Sequence, residues 1–115
     1  MQYMLLIYRD EAAMQGATDK QKSETMGAYT AYTKAMRESG AFVAGAPLGP
    51  STTATTVRLA QGRSKVLNGP YAETKEQLGG YYIIDVPDLD AALSWAARCP
   101  GAEIGVLEVR PVLGM

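Results

Sequence analysis

Gly79-Gly80-Tyr81-Tyr82-Ile83-Ile84-Asp85-Val86 is a run of large, β-prone side chains that two glycines open and Pro87-Asp88 closes. It reads as a strand. An antiparallel strand with one wet side alternates apolar and polar residues. This one does not, because Tyr81 and Ile83 on one side face away from Tyr82, Ile84 and Val86 on the other. Beyond it, Asp88 has the residue type of a helix N-cap, Leu89, Ala92, Leu93 and Ala96 share one helical face, and Pro100-Gly101 stops the helix. A last strand is predicted over Glu103–Val109, with Ile104 and Val106 on one side and Leu107 and Val109 on the other.

The N-terminal half repeats this order. Gln2–Arg9 reads as a strand with Tyr3, Leu5 and Ile7 on one side and Met4, Leu6 and Tyr8 on the other. Thr18-Asp19-Lys20-Gln21 has capping-box spacing, which predicts a helix start. Met26, Tyr29, Thr33 and Met36 then share one face, and Gly40 closes the helix. Ala41–Ala46 follows as a strand. Thr55–Ala60 and Lys65–Leu67 form a hairpin through Gln61–Ser64, Asn68-Gly69-Pro70 is a turn, and Ala72–Leu78 has room for a turn or two of helix at most.

With the hairpin set aside, strand–helix–strand occurs twice. The predicted fold is therefore α+β: one ferredoxin-like βαββαβ domain spanning 1–115 with an inserted hairpin, both helices covering one face of a four-stranded antiparallel sheet. Helices on one face leave the second apolar face bare, which forfeits about 1.5–3 kcal/mol per large side chain. The expectation is a homodimer whose two sheets pack face to face, a dimeric α/β barrel arrangement. The alternative is that the hairpin folds back over its own sheet.

The 115 residues carry 11 Lys+Arg against 12 Asp+Glu, with one cysteine and no histidine. That removes intrachain disulfides, Cys/His zinc sites and every histidine-dependent nucleophile or proton shuttle. No half of the chain is basic, so nucleic acid is not an expected partner. Tyr3–Tyr8 is too short for a membrane span or a leader, and a cytoplasmic location is expected. The Walker A, G-x-G-x-x-G, C-x-x-C and G-x-S-x-G patterns are all absent, and nothing calls for a metal or an organic cofactor.

Three polar groups are candidates for chemistry. Asn68–Gln77 places Glu73, Lys75 and Glu76 beside Tyr71, where a glutamate would serve as general base and Lys75 would neutralise an anion; Thr74-x-x-Gln77 is also a capping-box spacing, and solvation is the simpler reading. Asp85 interrupts an apolar strand and must reach solvent or a partner such as Arg9 or Arg110. The tyrosines, Tyr29 and Tyr82 among them, suit either a pocket lining or amphipathic packing.

The segment NGPYAETKEQLGGYYIIDVPDLDAALSWAARCP, together with QYMLLIYRDEAA, AGAPL, TATTVR and LEVRPV, resembles the YCII-related family, in particular its branch with a DGPFAETKE signature. Asn68 stands for the signature's Asp and Tyr71 for its Phe. The resemblance implies a dimeric ferredoxin-like fold. It also implies kinship with small-molecule enzymes, including a dehydrochlorinase of chlorinated aromatics that uses a His–Asp pair. The histidine's position aligns with Tyr29, and a tyrosine, whose ordinary pKa is near 10, donates protons but is a poor base at neutral pH. The branch is further similar to proteins found beside extracytoplasmic-function sigma factors. The leading expectation is a pocket for a small polar or aromatic molecule. Glu73, Glu76 and Asp85 are its candidate acid–base residues, and Arg9, Tyr29, Tyr71, Lys75 and Tyr82 its candidate binding residues. The second reading is a non-catalytic regulatory module.

Overall fold

A computed structural model describes residues 1–114. Four strands, β1 (Gln2–Arg9), β2 (Phe42–Pro47), β5 (Gln77–Asp85) and β6 (Val106–Pro111), form an antiparallel sheet in the order β2-β5-β1-β6. This is the ferredoxin-like order with β3 (Thr55–Ala60) and β4 (Arg63–Asn68) inserted as a separate hairpin. The long helix α2 (Asp19–Glu38) starts at the Thr18–Gln21 capping box, both of whose hydrogen bonds form. Helix α3 (Leu89–Arg98) starts where the Asp88 carboxylate accepts from the Ala91 N–H at 2.9 Å.

Both helices lie on the face that Tyr3, Leu5, Ile7, Tyr82 and Ile84 present, and these side chains are buried there with Tyr32, Met36, Ala92, Ala96 and Cys99. Tyr32 joins the layers. Its ring meets Tyr82 and Trp95 edge-on, with centroids 5.4 and 5.9 Å away, and its hydroxyl donates to the Trp95 carbonyl at 2.6 Å. The other face carries the second apolar set, with Met4, Leu6, Tyr8, Tyr81 and Ile83 all half-buried in the single chain.

The hairpin does not fold back over that face. The molecule measures 47 × 42 × 19 Å and its radius of gyration is 16.0 Å, against about 13 Å for a compact chain of this length. A sheet with one helical layer accounts for a thickness of 19 Å. A hairpin laid across the bare face would add about 10 Å. The hairpin instead projects as an arm, with Val57, Leu59 and Val66 60–71% exposed.

Several boundaries differ from the sequence reading. A short helix, α1 (Glu11–Gln15), follows β1 because Asp10 caps it, accepting from the Ala12 and Ala13 N–H groups at 3.0 and 3.3 Å. Ala72–Leu78 holds no helix: Gln77 Nε2 donates back to the Thr74 carbonyl, Gln77 Oε1 accepts from the Glu11 N–H, and β5 starts at Gln77 rather than after the glycines. The predicted strand over Glu103–Val109 begins later. Gly101–Ile104 is a helical turn, α4, and Gly105 passes against the Tyr8 carbonyl, where no side chain fits. Met26 is exposed; the face of α2 that enters the core is set by Tyr32 and Met36.

Candidate functional site

A groove of about 750 Å³ opens on the helical side of the sheet. Helix α2 is one wall, β2 and β5 are the floor, and Met14 of α1 closes one end. The lining is mainly apolar and aromatic, as small-molecule sites generally are. Its charged residues are Arg9, Lys22, Lys34, Arg37 and Glu38, a positive excess. Glu38 is engaged by Lys34 at 3.8 Å, and Arg37 stacks over the Phe42 ring at 4.0 Å.

Arg9, Tyr29 and Tyr82, three residues from separate elements, converge in the groove. A glycine makes room for each. A Cβ on Gly79 would lie 2.8 Å from Arg9 Nε, one on Gly45 would lie 2.8 Å from the Tyr82 ring, and one on Gly101 would lie 2.6 Å from the Tyr29 hydroxyl. The pairing passes from Ile7–Gly80 to Tyr8–Leu78, so Gly79 is the extra residue of a β-bulge, and the Arg9 side chain crosses it. Among the described residues Arg9 pairs with no carboxylate.

The hydroxyls have distinct duties. Tyr82 shares a hydrogen bond of 2.7 Å with Thr33 Oγ1. The Tyr29 oxygen accepts a long contact from Cys99 Sγ at 3.9 Å, which leaves the Tyr29 O–H without a protein acceptor among the described residues. Burial, reinforced by Cys99, pushes the Tyr29 hydroxyl well above the ordinary tyrosine range, with Arg9 acting weakly in the opposite direction. Burial likewise raises Tyr82 and Cys99. Tyr29 is therefore a neutral hydroxyl and not a base.

The other residues singled out from sequence lie elsewhere. Glu73 and Lys75 are exposed, Glu76 is half-buried, and none of the three lines the groove. Tyr71 is 71% exposed at the root of the arm, under the Arg58 guanidinium. Asp85 meets the Met1 ammonium at 2.9 Å instead of an arginine. Arg9 is across from Gln77 and Arg110 is across from Met4, so the strand register keeps both from Asp85, which is across from Gln2. Sequence reasoning missed Lys22, Arg37 and Phe42 as groove residues. It placed Met26, Tyr29 and Thr33 on one helix face, and all three line the groove. Among the described residues no three His, Cys, Asp or Glu side chains cluster as metal ligands, and no helix is long and apolar enough to cross a membrane.

The model of the YCII-related domain matches residues 1–115. The chain belongs to the YCII-related family. It is 38% identical over 114 residues to an uncharacterised protein of Rhizobium meliloti, with 97% of this chain and 92% of the relative covered. Among solved structures it is similar to 5-chloro-2-hydroxyhydroquinone dehydrochlorinase from Burkholderia phenoliruptrix in complex with 2,5-dihydroxybenzoquinone. That match has a TM-score of 0.57 and 14% identity, and covers 98% of this chain and 94% of the other. At that identity the likeness establishes the shared YCII fold.

Proposed function

We propose that this YCII-related protein binds a small, planar, anionic aromatic or quinone-like molecule in the groove of Arg9, Tyr29 and Tyr82. The observation that carries the reading is the Arg9 guanidinium over Gly79, which pairs with no carboxylate among the described residues and stands at an apolar groove that Tyr29 also lines. A guanidinium and a neutral hydroxyl suit a ring bearing an oxyanion and a carbonyl. The ligand of the dehydrochlorinase, a dihydroxybenzoquinone, belongs to that chemical class.

The acid–base roles expected of Glu73, Glu76 and Asp85 find no geometric support, since none of the three lines the groove. Catalysis in the groove would be electrophilic, with the Tyr29 O–H polarising a carbonyl or stabilising an enolate. The second reading, a non-catalytic sensor of such a ligand, draws on one observation: among the described residues Glu38 is the one carboxylate that lines the groove, and it faces Lys34 at 3.8 Å. We also propose the DGPFAETKE branch, from the Asn68–Glu76 stretch, a cytoplasmic location, and a homodimer in which Met4, Leu6, Tyr81 and Ile83 pack against the same residues of a second copy.

Calorimetric titration with 2,5-dihydroxybenzoquinone and planar hydroxybenzoates tests the site. Arg9→Gln is expected to weaken binding about 10- to 100-fold and Tyr29→Phe about 3- to 10-fold, with folding intact. Binding indifferent to Arg9→Gln, or no binding at millimolar ligand, refutes the reading. Binding without turnover favours the sensor.

A further inference from the structure

The groove is longer than a single ring, and a guanidinium stands at each end of it. Helix α2 and strand β5 run in step along its length: Thr33 meets Tyr82 through the 2.7 Å hydrogen bond, and Arg37, one turn on, stacks over Phe42, which pairs with Ile84. That register locates both cations. Arg9 crosses β5 at Gly79 and Arg37 sits at the level of Ile84, so about 17 Å of strand separates the two levels. Both side chains line the same groove.

Neither guanidinium is engaged by the protein's own acids. Among the described residues neither Arg9 nor Arg37 forms a salt bridge, and Glu38, beside Arg37, meets Lys34 at 3.8 Å instead. Stacking on Phe42 occupies one face of the Arg37 guanidinium and holds it in place. Its N–H groups lie in the plane of the group, where stacking does not use them. Between the two ends the groove offers an anion little. Thr30 Oγ1 donates back to the Met26 carbonyl at 2.9 Å, the Thr33 and Tyr82 hydroxyls satisfy each other, and Gly45, Ala46 and the Tyr82 ring leave an apolar middle.

We propose that the groove takes an elongated aromatic dianion, with one acidic group on Arg9, a second on Arg37 and an apolar body between them. This rests on the anion-binding reading of the groove and extends it from one end to both. With each N–H···O contact taking up about 3 Å, the two acidic groups lie about 10 Å apart. One ring with para carboxylates is too short for that span, and two directly linked rings fill it.

Calorimetric titration with the para,para′-dicarboxylate of biphenyl, the para-monocarboxylate of biphenyl and terephthalate provides the test, with near-ultraviolet dichroism as the check on folding. The biphenyl diacid is expected to bind about 5-fold more tightly than the monoacid, an advantage that shrinks as salt is added. Arg37→Gln, at a site exposed on α2, should erase that advantage and leave the monoacid and terephthalate unchanged, Arg37→Lys should restore part of it, and Arg9→Gln should weaken all three. A diacid no tighter than the monoacid, or a loss on Arg37→Gln that is equal for all three ligands, overturns the two-ended site and leaves the Arg9 reading to the quinone titration. Failure of all three acids to bind also overturns it. Failure of 2,5-dihydroxybenzoquinone as well overturns both readings.

Discussion

The two faces of the central sheet are built from alternate residues of the same strands and have opposite fates. Leu5 and Ile84 are fully buried beneath the helices, whereas their neighbours Leu6 and Ile83 are only half-buried on the bare side. Their composition is nearly equivalent. The difference teaches that apolarity marks a surface without naming its cover: helices of the same chain lie over one side, and no element of the described residues lies over the other.

The largest expected effect comes from shortening one neighbour and then the next. Leu5→Ala should cost about 3–5 kcal/mol of folding stability in chemical denaturation, because the cavity lies between sheet and helices. Leu6→Ala should cost about 1 kcal/mol in the isolated chain and act instead on self-association. Equal losses at the two positions would break the distinction between the faces.

A smaller effect separates the two glycines of β5. An added methyl on Gly80 meets the Ala46 carbonyl oxygen at 3.0 Å, which is backbone in a hydrogen-bonded strand, while one on Gly79 meets the movable end of Arg9. Gly80→Ala is expected to lower stability by about 1–3 kcal/mol. Gly79→Ala should leave stability near that of the parent yet weaken anion binding by about 10-fold, by displacing the guanidinium. Thermal melts and ligand titration on the same two variants decide this. Loss of stability alone at Gly79 would detach it from the site.

The smallest effect is expected with pH. The folded-state values of Tyr29, Tyr82 and Cys99 are raised by burial. Their contribution to stability is therefore complete below the unfolded values, near 8.5 for the thiol and 10 for the phenols, and is lost as pH rises through the folded ones. Stability contributed by these groups should be constant from pH 6 to 8 and decline only in alkali. Ligand affinity over that neutral window should follow the ligand's own ionisation, and a protein-derived inflection near pH 7 would contradict Tyr29 as a neutral hydroxyl.

Much of this was legible in the chain. The capping boxes at Thr18 and Thr74 show where legibility ends. The spacing is the same, but Thr18 is followed by twenty helical residues, whereas Gln77 is drawn into β5 by its place opposite Arg9 and by the Glu11 N–H, 66 positions away. Similarly, the three-and-four spacing of Met26, Tyr29, Thr33 and Met36 identified one face of α2 but not that it divides, the first three bordering the groove and Met36 entering the core. Glu73 and Glu76 drew attention because carboxylates are chemically versatile, yet residue type carries no information about distance from a pocket.

The sequence alone determined the order of elements, the antiparallel ferredoxin-like sheet, the exclusion of histidine chemistry and an apolar surface on both sides of the strands, since these follow from local periodicity, turn chemistry and composition. Only the tertiary structure decided that Arg9, Tyr29 and Tyr82 meet, and that the hairpin stands away from the sheet. Both depend on how close separate segments approach. At Gly45, Gly79 and Gly101 that approach is possible because a side chain is missing opposite the one that fills the space, a relation between distant residues that no local pattern records.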